Sequence, residues 1–102
     1  MEFEAELGYR GGTAELWLSG ECDAAAGETL RRLLDEVTRS ACDRLVVHVR
    51  DVAAFAPVVL RFLAVQQQCA PGIALSVSTP CEGIVDALRR AGLDSVVTVL
   101  RR

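Results

Sequence analysis

Lysine is absent from this chain, and its 11 strongly basic residues are all arginines, which lie singly or in pairs along the sequence. A phosphate-binding loop of the GxxxxGK[ST] type needs a lysine, so the chain cannot bind nucleotide through such a loop. The formal net charge of -3 also argues against a basic surface of the kind that binds nucleic acid. We therefore expect no nucleic-acid partner.

Hydroxyl-bearing residues are absent from the middle of the chain, because no Ser, Thr or Tyr occurs between Ala41 and Leu75. This stretch contains the junction Asp51-Val-Ala-Ala-Phe-Ala-Pro-Val-Val59, which links a strand-like segment to a helix-like segment. Small α/β domains often keep their working polar groups at such a junction. Any function assigned to this junction must therefore operate without a hydroxyl group.

Long apolar runs are missing as well. No segment approaches the roughly 20 apolar residues that span a bilayer. The acidic start of the chain also lacks the basic and then apolar layout of a signal peptide. These absences predict a cytoplasmic protein without direct membrane insertion.

Closely spaced cysteines are also lacking, since none of Cys22, Cys42, Cys69 and Cys81 forms a CxxC pair. The spacing therefore favours neither a zinc site nor a redox motif. In a reducing cytoplasm, we expect these cysteines to be small buried apolar residues rather than disulfides. We expect no metal and no cofactor.

The composition is that of an ordinary globular domain, with 51% hydrophobic and 25% charged residues. A chain of 102 residues can bury one core, so we expect a single domain spanning residues 1–102. Strict alternation of apolar and acidic residues predicts a strand at 2–7, and Gly11-Gly12 predicts a hairpin into a second strand at 13–19. The residues expected to face inward on these strands are Phe3, Ala5, Leu7, Ala14, Leu16 and Leu18.

Apolar residues then recur at helical spacing at Leu30, Leu33, Leu34 and Val37, with Asp23 as the expected N-cap. The β-branched run 45–49 predicts a central strand buried on both faces, and Pro57 suits the first turn of a mostly buried helix that continues to Cys69. A strand at 73–78, a third helix and a strand at 95–100 complete the pattern. For the third helix we expect a capping box of Thr79 and Glu82, Pro80 in the first helical position, burial of Ile84, Val85 and Leu88, and Gly92 as terminator.

The predicted order is therefore β-β-α-β-α-β-α-β. Alternation of this kind favours an α/β fold whose sheet is mostly parallel and whose crossovers are right-handed. The first strand is expected to pair antiparallel with the second.

Three segments together resemble one known family: Ala14-Glu-Leu-Trp-Leu-Ser-Gly-Glu-Cys-Asp23, Leu45-Val-Val-His-Val-Arg-Asp-Val52 and Ala91-Gly-Leu-Asp94. They resemble the strand and Gly-x-x-Asp turn, the central strand, and the Gly-Leu turn of STAS domains, the sulphate transporter and anti-sigma factor antagonist family. The resemblance spans nearly the whole chain. It implies a STAS-like fold with an N-terminal hairpin, about five strands and three helices.

The chain departs from this family at the phosphorylation site. Members that act as phospho-switches carry Asp-Ser-x-Gly at the start of the second helix, and alignment from Leu45 places Ala56, Pro57 and Val59 at the Asp, Ser and Gly. Pro57 has no hydroxyl to accept phosphate. His48 also replaces an aspartate that is frequent at the end of the central strand. The resemblance therefore implies a bacterial, non-enzymatic interaction module with a degenerate phosphorylation site.

The expected binding face combines the turn 20–23, including Glu21 and Asp23, with the junction residues Phe55, Ala56, Pro57, Val58 and Val59. Phe55, Pro57 and Val58 would form an apolar projection that binds a partner; alternatively, Phe55 and Val58 turn inward to the core. The resemblance implies an anti-sigma factor or a histidine-kinase-fold protein as the partner, and any nucleotide would be carried by that partner.

Other functions stay open at this point. Family members also serve as small subunits of lipid-transporting ABC systems. A small-ligand sensor, or an enzyme that uses a cysteine or His48 in a pocket, is the competing class, and a homodimer is left open. His48 itself is expected to be a hydrogen-bonded core residue rather than a catalytic base, so we predict no catalytic residues.

Trp17 is expected on the strand face opposite Leu16 and Leu18. An indole in this position can anchor a partner. Alternatively, it covers the open face of the sheet by pairing with Phe3 or Tyr9.

Overall fold

The computed structural model describes residues 4–20, 24–49 and 57–101, with residues 24–26, 57 and 58 described by their backbone alone. The described elements alternate as the sequence predicts, which confirms an α/β fold with five strands and three helices. In chain order they are β1 (Glu4–Arg10), β2 (Thr13–Ser19), α1 (Ala24–Arg39), β3 (Arg44–Val49), α2 (Pro57–Cys69), β4 (Ala74–Ser78), α3 (Glu82–Arg90) and β5 (Thr98–Leu100).

The five strands form one mixed sheet in the order β1-β2-β3-β4-β5. β1 and β2 are antiparallel, as expected for a hairpin, and Gly11 in the turn adopts a φ of 61° that favours glycine. The other neighbouring strands are parallel and therefore need crossovers. α1, α2 and α3 lie between these strands in sequence and provide the crossovers.

The core lies on one face of the sheet. The inward residues of β2, β3 and β4 pack with apolar residues from all three helices in a single buried cluster. The strand residues of this cluster are Ala14, Leu16, Leu18, Leu45, Val47, Val49, Leu75 and Val77, and the helical residues are Leu30, Leu34, Val37, Val59, Leu63, Ile84 and Leu88. The inward pattern predicted for β2 and the apolar stripe predicted for α1 are thus confirmed.

The expectation that β3 is buried on both faces is wrong. Val46 and His48 point away from the core cluster and are only half-buried. All helical residues of the core cluster pack on the other face, so in the described ranges this side of the sheet has no helical cover. We call it the open face, and the strand register assigns to it Glu4, Glu6, Gly8, Arg10, Thr13, Glu15, Trp17, Ser19, Arg44, Val46, His48, Ala74, Ser76, Ser78, Thr98 and Leu100.

Helix α2 begins at Pro57, as predicted, but it is less buried than its composition suggests. Among the α2 residues from Val59 onward, Val59, Leu63 and Gln66 form the buried stripe, whereas Val65 is 47% exposed. A helix on one side of a sheet buries the residues of one stripe, so an apolar residue outside that stripe stays on the surface. α2 therefore exposes an apolar residue in its second half, about two turns beyond the predicted binding junction.

The start of α3 differs from the predicted capping box. The helix begins at Glu82 with Cys81 as N-cap, so Pro80 lies before the helix rather than in its first position. The Thr79 hydroxyl accepts a hydrogen bond from the Cys81 N–H at 3.1 Å. The Thr79 N–H donates to the Leu100 carbonyl at 2.8 Å, so the adjacent strand uses the donor that a capping box would satisfy with Glu82.

The end of α3 follows the prediction, because Gly92 follows the C-cap residue Ala91 and has a left-handed φ of 74°. The last strand is shorter than expected, since Leu93–Ser95 forms a 3-10 turn and only Thr98–Leu100 pairs with β4. Across the described ranges, no helix is both long and apolar enough to cross a membrane.

Candidate functional site

The carboxyl ends of β2, β3 and β4 lie at one edge of the sheet, because these strands are parallel. β2 ends at Ser19 and α1 begins at Ala24. Similarly, β3 ends at Val49 and α2 begins at Pro57. The two segments that form the predicted binding face therefore start from adjacent strands at the same edge. This is the usual position of ligand and partner sites in α/β sheets.

Most of the predicted site residues lie outside the described residues: Glu21, Asp23, Phe55 and Ala56. Gly20, which starts the first segment, has a left-handed φ of 84° and therefore favours glycine. Pro57 and Val58 are placed by their backbone in the first turn of α2. The orientation of Phe55 and Val58, toward a partner or toward the core, stays a prediction.

Val59 is the one predicted site residue whose side chain the structure places. It is 0% exposed and belongs to the core cluster, so its side chain cannot form part of a partner surface. Helical spacing explains this position, because Val59 and Leu63 lie one turn apart on the buried stripe of α2. The apolar projection is therefore limited to the residues that precede Val59.

Hydroxyl groups do occur at the carboxyl edge: Ser19 at the end of β2 is half-buried, whereas those on β4 and just after it are inaccessible. Ser78 and Thr79 are buried, and Thr79 accepts the hydrogen bond from Cys81 described above. A kinase needs an exposed hydroxyl on a segment that it can bind. In the folded domain, neither residue is positioned to replace the phosphoacceptor that is missing at Pro57.

A second group of functional side chains lies on the open face. The parallel register of β2 and β3 places Trp17 beside His48, and their rings stack with centroids 5.0 Å apart and planes inclined by 8°. The Nε2 atom of His48 lies 3.3 Å from the Oε1 atom of Glu15. Trp17 is 37% exposed, while the side chains of His48 and Glu15 are 22% and 20% exposed.

This arrangement shows which ring Trp17 packs against and corrects the expectation for His48, while the role of Trp17 as an anchor for a partner stays a prediction. Trp17 covers the open face, but it stacks on His48 rather than on Tyr9, which the register places on the opposite face of β1 beside Ala14. Phe3 lies outside the described residues. His48 lies on the open face and not in the core. Sequence alternation places both rings on one face, but the β2–β3 register that brings them together has no local sequence signal.

The contacts of His48 define what it can do chemically. A histidine that activates a nucleophile must lie within hydrogen-bond reach of it. Among the described residues, the His48 ring contacts Glu15 and Trp17, and neither is a nucleophile. Cys42 precedes β3, at the opposite end of that strand from His48, and its Sγ atom lies 3.1 Å from the Ser40 Oγ atom. Among all the residues that the structure describes, no group of three side chains is placed to bind a metal ion.

The expectation that the cysteines are buried is wrong for Cys69, which is exposed at the end of α2, whereas Cys42 and Cys81 are partly buried. Cys22 lies outside the described residues.

We expect Cys69 to react with a thiol reagent at the rate of an ordinary exposed thiol near neutral pH, and Cys42 and Cys81 to react more slowly. The measurement is the time course of labelling, with the modified residues identified by mass spectrometry. Cys69→Ser should remove the phase assigned to that thiol. A cysteine that reacts far faster than a free thiol would contradict a non-enzymatic function.

Comparison with protein-family models gives no match, and comparison with curated proteins gives none either. The assignment to the STAS family therefore rests on the resemblance of the sequence motifs.

Proposed function

We propose that the chain is a STAS-like, non-enzymatic protein-interaction module of the bacterial cytoplasm, similar to an anti-sigma factor antagonist. Its partner is an anti-sigma factor or another histidine-kinase-fold protein. The observation that carries this proposal is that α2 starts at Pro57, the position at which the resembling switch proteins carry a phosphorylatable serine. The domain binds its partner without control at this position.

The chemistry of the missing switch supports constitutive binding. A phosphoserine at a helix start adds close to two negative charges, which can dissociate an apolar contact through repulsion and desolvation. Proline cannot carry phosphate, but its fixed φ suits the first turn of a helix. The substitution therefore retains the helix start and removes the charge change.

The position and polarity of the junction also support a protein partner. The turn after β2 and the junction before α2 start from adjacent strand ends, so one partner can contact both. The junction carries no charged residue between Val52 and Val58. An apolar segment at a strand end is the kind of surface that binds proteins.

Restoring a hydroxyl tests the lost switch directly. We expect Pro57→Ser to accept one phosphate from the kinase-fold partner and ATP, whereas the wild-type chain gains none in α2. Serine is well tolerated at a helix start, so the fold should be retained. Intact-mass and peptide mass spectrometry measure the result. Wild-type α2 carries no hydroxyl residue and cannot form a phosphoester, so phosphate on a hydroxyl elsewhere in the wild type would show control by a different site.

Affinity purification from the native cytoplasm, followed by mass spectrometry, identifies the partner. Recovery of a kinase-fold protein supports the proposal. Recovery of the ATPase subunit of a lipid-transporting ABC system supports the alternative function within the same family and overturns the proposed partner.

A further inference from the structure

A recess on the open face lies where β1 and β2 meet at the carboxyl edge. It has a volume of about 410 Å³ and is lined by Glu4, Glu6, Trp17, Leu18, Ser19 and His48. It lies on the side of the sheet away from the helical layer that includes α2. Its chemistry is therefore separate from that of the α2 junction.

The aromatic wall of this recess is a single indole. The His48 ring covers one face of Trp17, and the opposite strand neighbour on β1 is Glu6. Gly8 is the next residue of β1 on this face, and a Cβ atom there would lie 3.3 Å from the Trp17 side chain. Because Gly8 has no side chain, the indole can lie close to the backbone of β1 there, and 37% of Trp17 stays exposed.

Among the described residues, the formal charges that line the recess have one sign. Glu4 and Glu6 are exposed carboxylates on β1, and no arginine of the described ranges lines the recess. Arg10 and Arg44 flank Thr13 at the opposite end of the strands. The open face is thus acidic where the indole is exposed and basic at its far end, which complements a cationic ligand at the indole.

We propose that this recess binds an arginine side chain from a basic peptide segment of a partner protein. A guanidinium group stacks on the face of a tryptophan, which is the best aromatic acceptor of a cation, and its planar donors match carboxylate oxygens. Glu6 is the β1 residue paired with Trp17, and Glu4 is the next β1 residue on this face, so a guanidinium group stacked on the indole would share the recess with two carboxylates. This inference does not rest on the proposed function of the α2 junction.

The single tryptophan provides the measurement. The full chain is titrated at low ionic strength with an acetylated and amidated tetra-arginine peptide, and the emission of Trp17 is followed. A matched peptide of four citrullines has nearly the same shape without the charge. We expect a saturable change with tetra-arginine, and at least about tenfold weaker binding of the citrulline peptide.

Two carboxylate variants locate the site while retaining the reporter. Glu4→Gln combined with Glu6→Gln should weaken tetra-arginine binding about tenfold, since each exposed ion pair contributes modestly. The matched control is Asp35→Asn combined with Glu36→Gln, which removes the same charge from the exposed side of α1. We expect this control to change the affinity by less than about twofold, because the removed charges act only through screened long-range fields.

Five results would overturn the proposal, and the fifth concerns Arg50. The first three are a Trp17 emission that does not change saturably, equal affinity for the two peptides, and an equal loss of affinity in both double variants. The fourth is self-association of the chain that fills the recess. Self-association would appear as a concentration-dependent emission without peptide that Arg10→Gln or Arg44→Gln removes. Arg50 follows β3 in sequence and lies outside the described residues, so Arg50→Gln is tested too. A large gain in peptide affinity in this variant would assign the recess to the chain's own arginine.

Discussion

Val59→Asp is expected to lower the free energy of unfolding by about 4 kcal/mol or more, because it places an unpaired carboxylate in the core. Val59 is 0% exposed and packs in the cluster that joins all three helices to the sheet. A small domain has only about 5 to 15 kcal/mol of stability to lose. The melting temperature should therefore fall by roughly 15 to 30 °C, or the domain should fail to fold.

Chemical denaturation and thermal unfolding measure this effect, and Val65→Asp is the matched control. Val65 lies on the same helix and undergoes the same change, but it is 47% exposed. We expect the control to alter the unfolding free energy by no more than about 0.5 kcal/mol. Similar losses in the two variants would show that the buried stripe of α2 is assigned incorrectly.

Val58→Asp is expected to abolish partner binding and to leave the melting temperature near that of the wild-type chain. If Val58 is part of the apolar projection, the carboxylate would be buried against the partner without a compensating charge. Truncation or charging of a central apolar contact commonly costs several kcal/mol, which corresponds to a loss of about 100-fold or more in affinity.

The melting temperatures of Val59→Asp and Val65→Asp provide the buried and exposed references for that of Val58→Asp. Partner binding is measured by titration calorimetry with the protein recovered by affinity purification, and thermal unfolding is recorded for Val58→Asp, Val59→Asp and Val65→Asp in parallel. A melting temperature close to that of Val65→Asp, together with lost binding, supports a surface contact. A fall as large as that of Val59→Asp would show that Val58 is a core residue and would remove the apolar projection from the binding face.

The elements of this fold were predictable where the signal is local. Alternation in β2 placed Ala14, Leu16 and Leu18 in the core, and the helical spacing of α1 placed Leu30, Leu34 and Val37 against them. Pro57 and Gly92 marked a helix start and a helix end through their own backbone preferences. Each of these features depends on residues that are close together in the sequence.

The errors arose where distant segments decide the outcome. The β-branched composition of β3 did not reveal that the helices cover only one face of its sheet, and the apolar composition of α2 did not reveal that Val65 is exposed. The prediction of a capping box for α3 was wrong because the carbonyl of Leu100, in β5, accepts the hydrogen bond of the Thr79 N–H. Local patterns carry no information on which distant element supplies a partner or a cover.

The features of the candidate sites likewise differ in whether the sequence alone could reveal them. The absence of a phosphoacceptor from 41–75 is a matter of chemical composition, and no arrangement of the chain can supply a hydroxyl that those residues lack. The burial of Val59 and the grouping of Trp17, His48 and Glu15 depend on tertiary structure instead. Strand register and the placement of helices on one face bring these residues together or bury them, and both follow from contacts between segments that are far apart in the sequence.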